Sequence, residues 1–150
     1  LDIISGETIK QSFIRDKMDW IDSKFSVQGI AYDKTYAFDL INDHCENSLG
    51  WECVQFNQSI STYAGPVSNL EEIIVDGRFR HNDNPVLNWQ AGHVQIKQGD
   101  RGGRIPVKPK SDDVRKIDGV VAAIMALSLS WYSEPSVNYD YYEQNGMEFA

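Results

Sequence analysis

Two aspartates stand where they could do chemistry. Asp33 closes a short, mostly apolar run, Phe25–Tyr32 (Phe-Ser-Val-Gln-Gly-Ile-Ala-Tyr). That run suits a buried strand, and open α/β sheets place their ligands at the C-terminal ends of such strands. An aspartate directly before a helix is also a favoured N-cap, so both roles are open at Asp33. Asp118 sits in Lys116-Ile117-Asp118-Gly119-Val120-Val121-Ala122-Ala123-Ile124-Met125-Ala126-Leu127, where a helix becomes almost wholly apolar. An ionised carboxylate taken out of water needs a partner or a metal; otherwise Asp118 faces solvent or pairs with Arg115 or Lys116. Gly119 costs a helix roughly 1 kcal/mol relative to alanine, which suggests close approach by another backbone. Two or three carboxylates converging from a strand end and a helix could hold a pair of divalent ions. Such a pair activates water and stabilises the leaving oxygen in phosphodiester hydrolysis.

A nucleic-acid substrate also needs counter-charge. The formal net charge of −8 argues against a protein whose main affinity comes from neutralising phosphates. The charge is uneven, however: Lys97–Lys116 holds seven cations and three anions, and Ser133–Ala150 holds four anions and no cation. Lys97, Arg101, Arg104, Lys108 and Lys110 could grip a DNA backbone, or could form a solvated hairpin that balances an acidic surface. His81 could approach a phosphate, although a surface or capping role suits it better. His44, Cys45, Cys53 and His81 have no zinc-ligand spacing of the Cys-x₂-Cys type, and the two cysteines are expected to be reduced. Gly99-Asp100-Arg101-Gly102-Gly103-Arg104 lacks the Lys-Ser/Thr and the helix of a phosphate-binding loop. Trp20, Trp51, Trp89 and Trp131 are scattered as core or interface anchors, not as a base-stacking stripe.

The elements that must position these groups follow from periodicity. Ile9, Phe13, Ile14, Met18 and Ile21 predict an amphipathic helix over Thr8–Ser23. After the strand ending at Tyr32, Tyr36, Ala37, Leu40, Ile41 and His44 predict a second helix that stops near Asn47–Gly50. Trp51–Phe56 reads as a strand and Ser59–Pro66 as a polar loop, with Pro66 opening a helix through Val67, Leu70, Ile73 and Ile74. Asn84-Pro85 reads as an N-cap with proline at the first helical position, leading a short helix through Trp89. His93–Gln98 and Gly103–Val107 read as a hairpin. Ser111-Asp112-Asp113 is expected to cap a final helix that is apolar nearly all round from Ile117 to Leu129. Strands alternating with helices, then a late hairpin, favour an α/β fold with a mixed sheet.

At 150 residues, 41% hydrophobic and 24% charged, the chain is long enough to bury one core without staples. No apolar run approaches the roughly 18 residues of a membrane span. The start has no signal core, so a cytosolic protein without a membrane partner is expected. A folded unit over 1–133 and an acidic, tyrosine-rich tail over 134–150 complete the expectation.

From Val27 onward, about the last four-fifths of the chain, the sequence resembles the C-terminal nuclease domain of tailed-phage large terminase subunits. The resemblance is carried by Gly29-Ile30-Ala31-Tyr32-Asp33, by the helix holding Leu70-Glu71-Glu72-Ile73-Ile74, by His81-Asn82-Asp83-Asn84-Pro85-Val86-Leu87-Asn88-Trp89, and by Lys116–Leu127. It implies a ribonuclease H-like mixed sheet flanked by helices. It also implies a Mg²⁺- or Mn²⁺-dependent endonuclease that cuts concatemeric phage DNA in the cytoplasm of an infected or lysogenic bacterium. Asp33 then matches the second metal-binding carboxylate and Asp118 the third. The first lies on the family's opening strand, which the resemblance implies is missing here, leaving the ligand set incomplete and the activity of the fragment weak or absent. Double-stranded DNA, the portal and the small terminase subunit are the implied partners. Exposed sheet edges would add self-association. Two other classes stay open: a non-catalytic module that docks another packaging component, and a resolvase- or integrase-like phosphotransferase of the same fold.

Overall fold

Helix α1 (Gln11–Lys24) carries Met18 and Ile21 into an apolar cluster built on Ile41, Cys45 and Trp51. It starts three residues later than its periodicity predicts, after Lys10 in extended conformation. One hydrogen bond ties α1 down, Asp22 Oδ1 accepting from Trp51 Nε1 at 2.7 Å; His44 Nε2 lies 2.8 Å from Asp19 Oδ1 without hydrogen-bond geometry. The structure, a computed structural model, describes residues 8–110 and 114–130. The expected tail over 134–150 lies outside the described residues.

Strand β1 (Gly29–Tyr32) pairs in parallel with β2 (Glu52–Gln55), Gly29 opposite Glu52 and Tyr32 opposite Gln55. The approach is close: a Cβ on Gly29 would sit 2.9 Å from the Glu52 carbonyl oxygen. Between the strands, α2 (Lys34–Asp39) runs into a π-helical segment (Leu40–Glu46) that buries Leu40, Ile41, His44 and Cys45. Alternation along β1 divides the interior. Ile30 and Tyr32 pack on the α1 cluster, and Ala31 packs on a second cluster formed by Phe56, Tyr63, Val67, Leu70, Val120, Ile124 and Met125.

The second cluster belongs to α3 (Ile60–Val75) and α5 (Asp118–Ser130), which pack on each other, with α5 also lying on β1. Helix α3 corrects the predicted loop over Ser59–Pro66. Ser59 Oγ caps it by accepting from Thr62 N at 3.2 Å, and Pro66 sits buried inside the helix. Proline at the first helical position and proline within a helix give the same local signal; burial of the ring against the core offsets the lost N–H. Helix α4 (Pro85–Ala91) begins as predicted, with Asn84 Oδ1 accepting from Val86 N at 3.0 Å and Leu87 N at 3.1 Å. The hairpin is also as predicted: β3 (Gln95–Gln98) and β4 (Arg104–Val107) pair antiparallel, with β4 against α3. The expected cap at Ser111–Asp113 lies outside the described residues. Residues 114–117 are not helical, so the last helix starts at Asp118. Parallel and antiparallel pairings both occur, divided among the described residues between two two-stranded sheets.

Candidate active site

Asp33 stands one residue beyond β1 and, two residues after Ala31, on the face of the strand that looks toward α3 and α5. Both roles open to it in the sequence are combined here. It caps α2, its Oδ1 accepting from Thr35 N at 3.0 Å and from Thr35 Oγ1 at 2.9 Å, and it lines an open cleft at the strand end. The cleft, of about 460 Å³, is formed by Asp33, Lys34, Thr35 and residues 55–58, the end of β2 and the segment beyond it. That segment is anchored where Phe56 N donates to Tyr32 O at 2.8 Å. The Thr35 backbone N–H, then its hydroxyl, holds the Asp33 carboxyl below the usual carboxylate range; partial burial works against this, and the Gln58 side chain adds a smaller lowering. Asp33 is therefore an ionised oxygen donor at neutral pH, of the hard type that suits Mg²⁺ or Mn²⁺.

Behind the cleft, Tyr63 is 1% exposed, and its hydroxyl donates to Gln58 Oε1. Burial first, and then the Asp33 charge, pushes the phenol up to about 12. Thr35 was legible in principle, since Asp-x-Thr is a common capping pattern. Nothing in the sequence marks Gln58 or Tyr63.

Asp118 is exposed, in the first turn of α5, and does not line the Asp33 cleft. The close approach that Gly119 suggested is real, but a side chain makes it and not a backbone. Gln90, 8% exposed, brings its Oε1 to the Gly119 N–H at 2.6 Å, and a Cβ on Gly119 would meet that oxygen at 2.7 Å. Among the described residues no three His, Cys, Asp or Glu side chains gather in a way that could hold a metal.

The cationic residues behave differently from one another. Lys97, Arg101 and Lys110 are exposed, and Lys108 is half-buried. Arg104 is committed to α3, its guanidinium 2.5 Å from Glu71 Oε2 and 3.0 Å from Ser68 Oγ. His81 does not cap; Asn84 does. The His81 ring lies beside Phe79, and its Nδ1 is buried without a hydrogen bond among the described residues. Both cysteines are free thiols.

Residues 2–134 match the family described as "Terminase large subunit, endonuclease domain". This chain belongs to that family. Membership decides between terminase and the other phosphotransferases of the same fold. Among relatives, the large terminase subunit of Enterobacteria phage HK97 is 27% identical over 122 residues, 81% of this chain and 24% of its own length. Protein YmfN of Escherichia coli K12 is 34% identical over 93 residues, 60% of this chain and 20% of its own length. The crystal structure of the HK97 bacteriophage large terminase superposes with a TM-score of 0.70 at 26% identity, over 83% of this chain and 26% of that one. The fold of this terminase nuclease domain is thus the ribonuclease H-like α/β fold expected from the sequence. The chain spans about a quarter or less of the relatives it matches.

Proposed function

We propose that this domain is a metal-dependent DNA endonuclease that cuts concatemeric viral DNA during packaging, with Asp33 and Asp118 as ligands for Mg²⁺ or Mn²⁺. The observation that carries the reading is Asp33 itself, a carboxylate held ionised at the C-terminal end of a parallel strand, in an open cleft, in a chain of the terminase endonuclease family. A bound metal pair would supply an activated water and charge stabilisation at the leaving oxygen. Asp33 contributes a negative oxygen whose rotation Thr35 limits, and Asp118 a second carboxylate at the head of α5. Lys97, Arg101, Lys108 and Lys110 supply charge for the DNA backbone; Arg104 orients the hairpin on α3. The site of action is the bacterial host cytoplasm, with double-stranded DNA, portal and small subunit as partners. Unpaired strand edges add self-association. No helix among the described residues is long and apolar enough to cross a membrane.

A second reading, a non-catalytic docking module, is favoured by one observation: Asp118 lies outside the cleft that holds Asp33. Calorimetric titration of Mn²⁺ into the chain and into Asp33→Asn and Asp118→Asn, with plasmid nicking in the same buffers, separates the two. Loss of metal binding in both variants supports the nuclease. Binding that is absent, or indifferent to both substitutions, overturns it and leaves the docking module.

A further inference from the structure

A carboxylate that must meet a cation has to be aimed as well as ionised, and Thr35 secures Asp33 through one oxygen only, Oδ1. Across the cleft stands Gln58, an exposed side chain whose amide would sample several rotamers if left alone. It is not left alone, because the buried Tyr63 hydroxyl donates to its Oε1. A glutamine amide has one acceptor end and one donor end, so a phenol on the oxygen leaves the NH₂ to donate. The neighbouring Asp33 carboxylate can only accept. The reverse orientation would turn two oxygens toward each other and leave the phenol without an acceptor. Tyr63 is rigid enough to impose this choice: its ring meets Phe56 edge-on at 5.0 Å and 72°, and it stands in the first turns of α3, which Ser59 caps.

We propose that Tyr63 and Gln58 are a positioning pair for Asp33, the buried phenol locking the Gln58 amide so that its NH₂ holds the carboxylate in the cleft, oriented for a divalent cation. The cation part of the proposal rests on the nuclease reading; the pair itself does not. Tyr63 touches neither metal nor DNA and acts through Gln58.

The test uses Tyr63→Phe, which keeps the buried ring, Gln58→Met, which keeps the length of the side chain, and the double variant. Asp33→Asn serves as the control. In metal-free ¹⁵N-labelled chain, the Gln58 side-chain NH₂ resonances should move in both Tyr63→Phe and Asp33→Asn; resonances indifferent to both overturn the pair. In Mn²⁺ calorimetry, each single variant should weaken binding by about 10-fold, the scale of partners that orient ligands. Tyr63→Phe should add nothing in the Gln58→Met background, because the phenol acts only through the amide. Effects that multiply in the double variant overturn the relay. Wild-type affinity in both single variants, while Asp33→Asn loses the metal, overturns the positioning role and leaves the nuclease standing. A wild-type chain that binds no Mn²⁺ removes the nuclease reading and the cation part with it, and the NH₂ resonances still decide the pair.

Discussion

Gln90 Oε1 accepts a hydrogen bond from the backbone N–H of Gly119 at 2.6 Å, so a side chain of α4 caps the helix that carries Asp118. The first turn of a helix leaves its N–H groups without intrahelical partners, and the residue directly before α5 is Ile117, whose side chain has no acceptor to offer them. The same contact explains the glycine. It also joins two segments of the resemblance, because Asn84 starts the short helix that delivers Gln90 to the head of α5.

Gln90→Leu should therefore destabilise the domain by about 1 kcal/mol, the low end of the cost of leaving a desolvated N–H unpaired, because this one is part-buried. Gly119→Ala should destabilise it because the new Cβ would lie 2.7 Å from Gln90 Oε1. Combining Gly119→Ala with Gln90→Ala should cost less than the sum of the single changes. Urea denaturation of wild type, Gln90→Leu, the two single alanine variants and their combination checks this; strict additivity would deny the contact.

Salt dependence of DNA binding should sort the basic residues. Lys97→Ala should reduce the slope of log affinity against log salt by about 1. Arg104→Ala should leave the slope unchanged, because Glu71 and Ser68 hold its guanidinium, and should lower thermal stability by under about 1 kcal/mol for so exposed a pair. The reverse pattern would place Arg104 on the DNA and Lys97 off it.

Acid stability reports on Asp33. Its folded carboxyl is held below the usual carboxylate range, chiefly by the Thr35 N–H and hydroxyl. The unfolded chain thus takes up the proton first, so this contribution is present above about 3.8 and fades as pH falls through the lower folded value. Thr35→Val removes the hydroxyl bond and keeps the backbone one. It should raise the Asp33 carboxyl, read by carboxyl ¹³C shifts, and flatten the stability loss below pH 4. An unmoved ¹³C midpoint would show that the hydroxyl contributes nothing.

Thiol chemistry gives an independent check on the first cluster. Burial raises both cysteines, with the neighbouring Cys53 adding to the effect at Cys45 and Glu46 at Cys53. Cys45 has no exposed surface. A disulfide-exchange reagent at neutral pH should modify Cys53 slowly and Cys45 only as fast as the domain opens. Rapid modification of both would mean that the cluster around Ile41 and Trp51 is not closed.

Features with a local physical cause were legible in the sequence. The Asn84-Pro85 start and the glycine turn between β3 and β4 each depend on a few neighbouring residues, and each stands as read; the run Phe25–Tyr32 into Asp33 is a strand only over Gly29–Tyr32, and half-buried where a buried strand was expected. What misled was chemistry with two meanings, or with a partner far along the chain. Pro66 looks the same opening a helix as buried within one. The last helix, expected to follow Ser111–Asp113 directly, starts only at Asp118, where Gln90 supplies an acceptor from 29 residues away. The π-helical turn at Leu40–Glu46 leaves no mark in the 3.6-residue period, because tertiary packing selects it. At the candidate site, Asp33 was legible and its surroundings were not, since Gln58 and Tyr63 gain meaning only once the chain has folded back.

The division of the interior by β1 bears on how this domain can change over generations. Ile30 and Tyr32 answer to one set of neighbours and Ala31 to another, and among the described residues no side chain belongs to both clusters. Compensating substitutions should accordingly travel within each set: α1 with the π-helical segment, and α3 with α5. A lineage could then rework the outer helix to fit a new neighbour without retuning the face that carries Asp33.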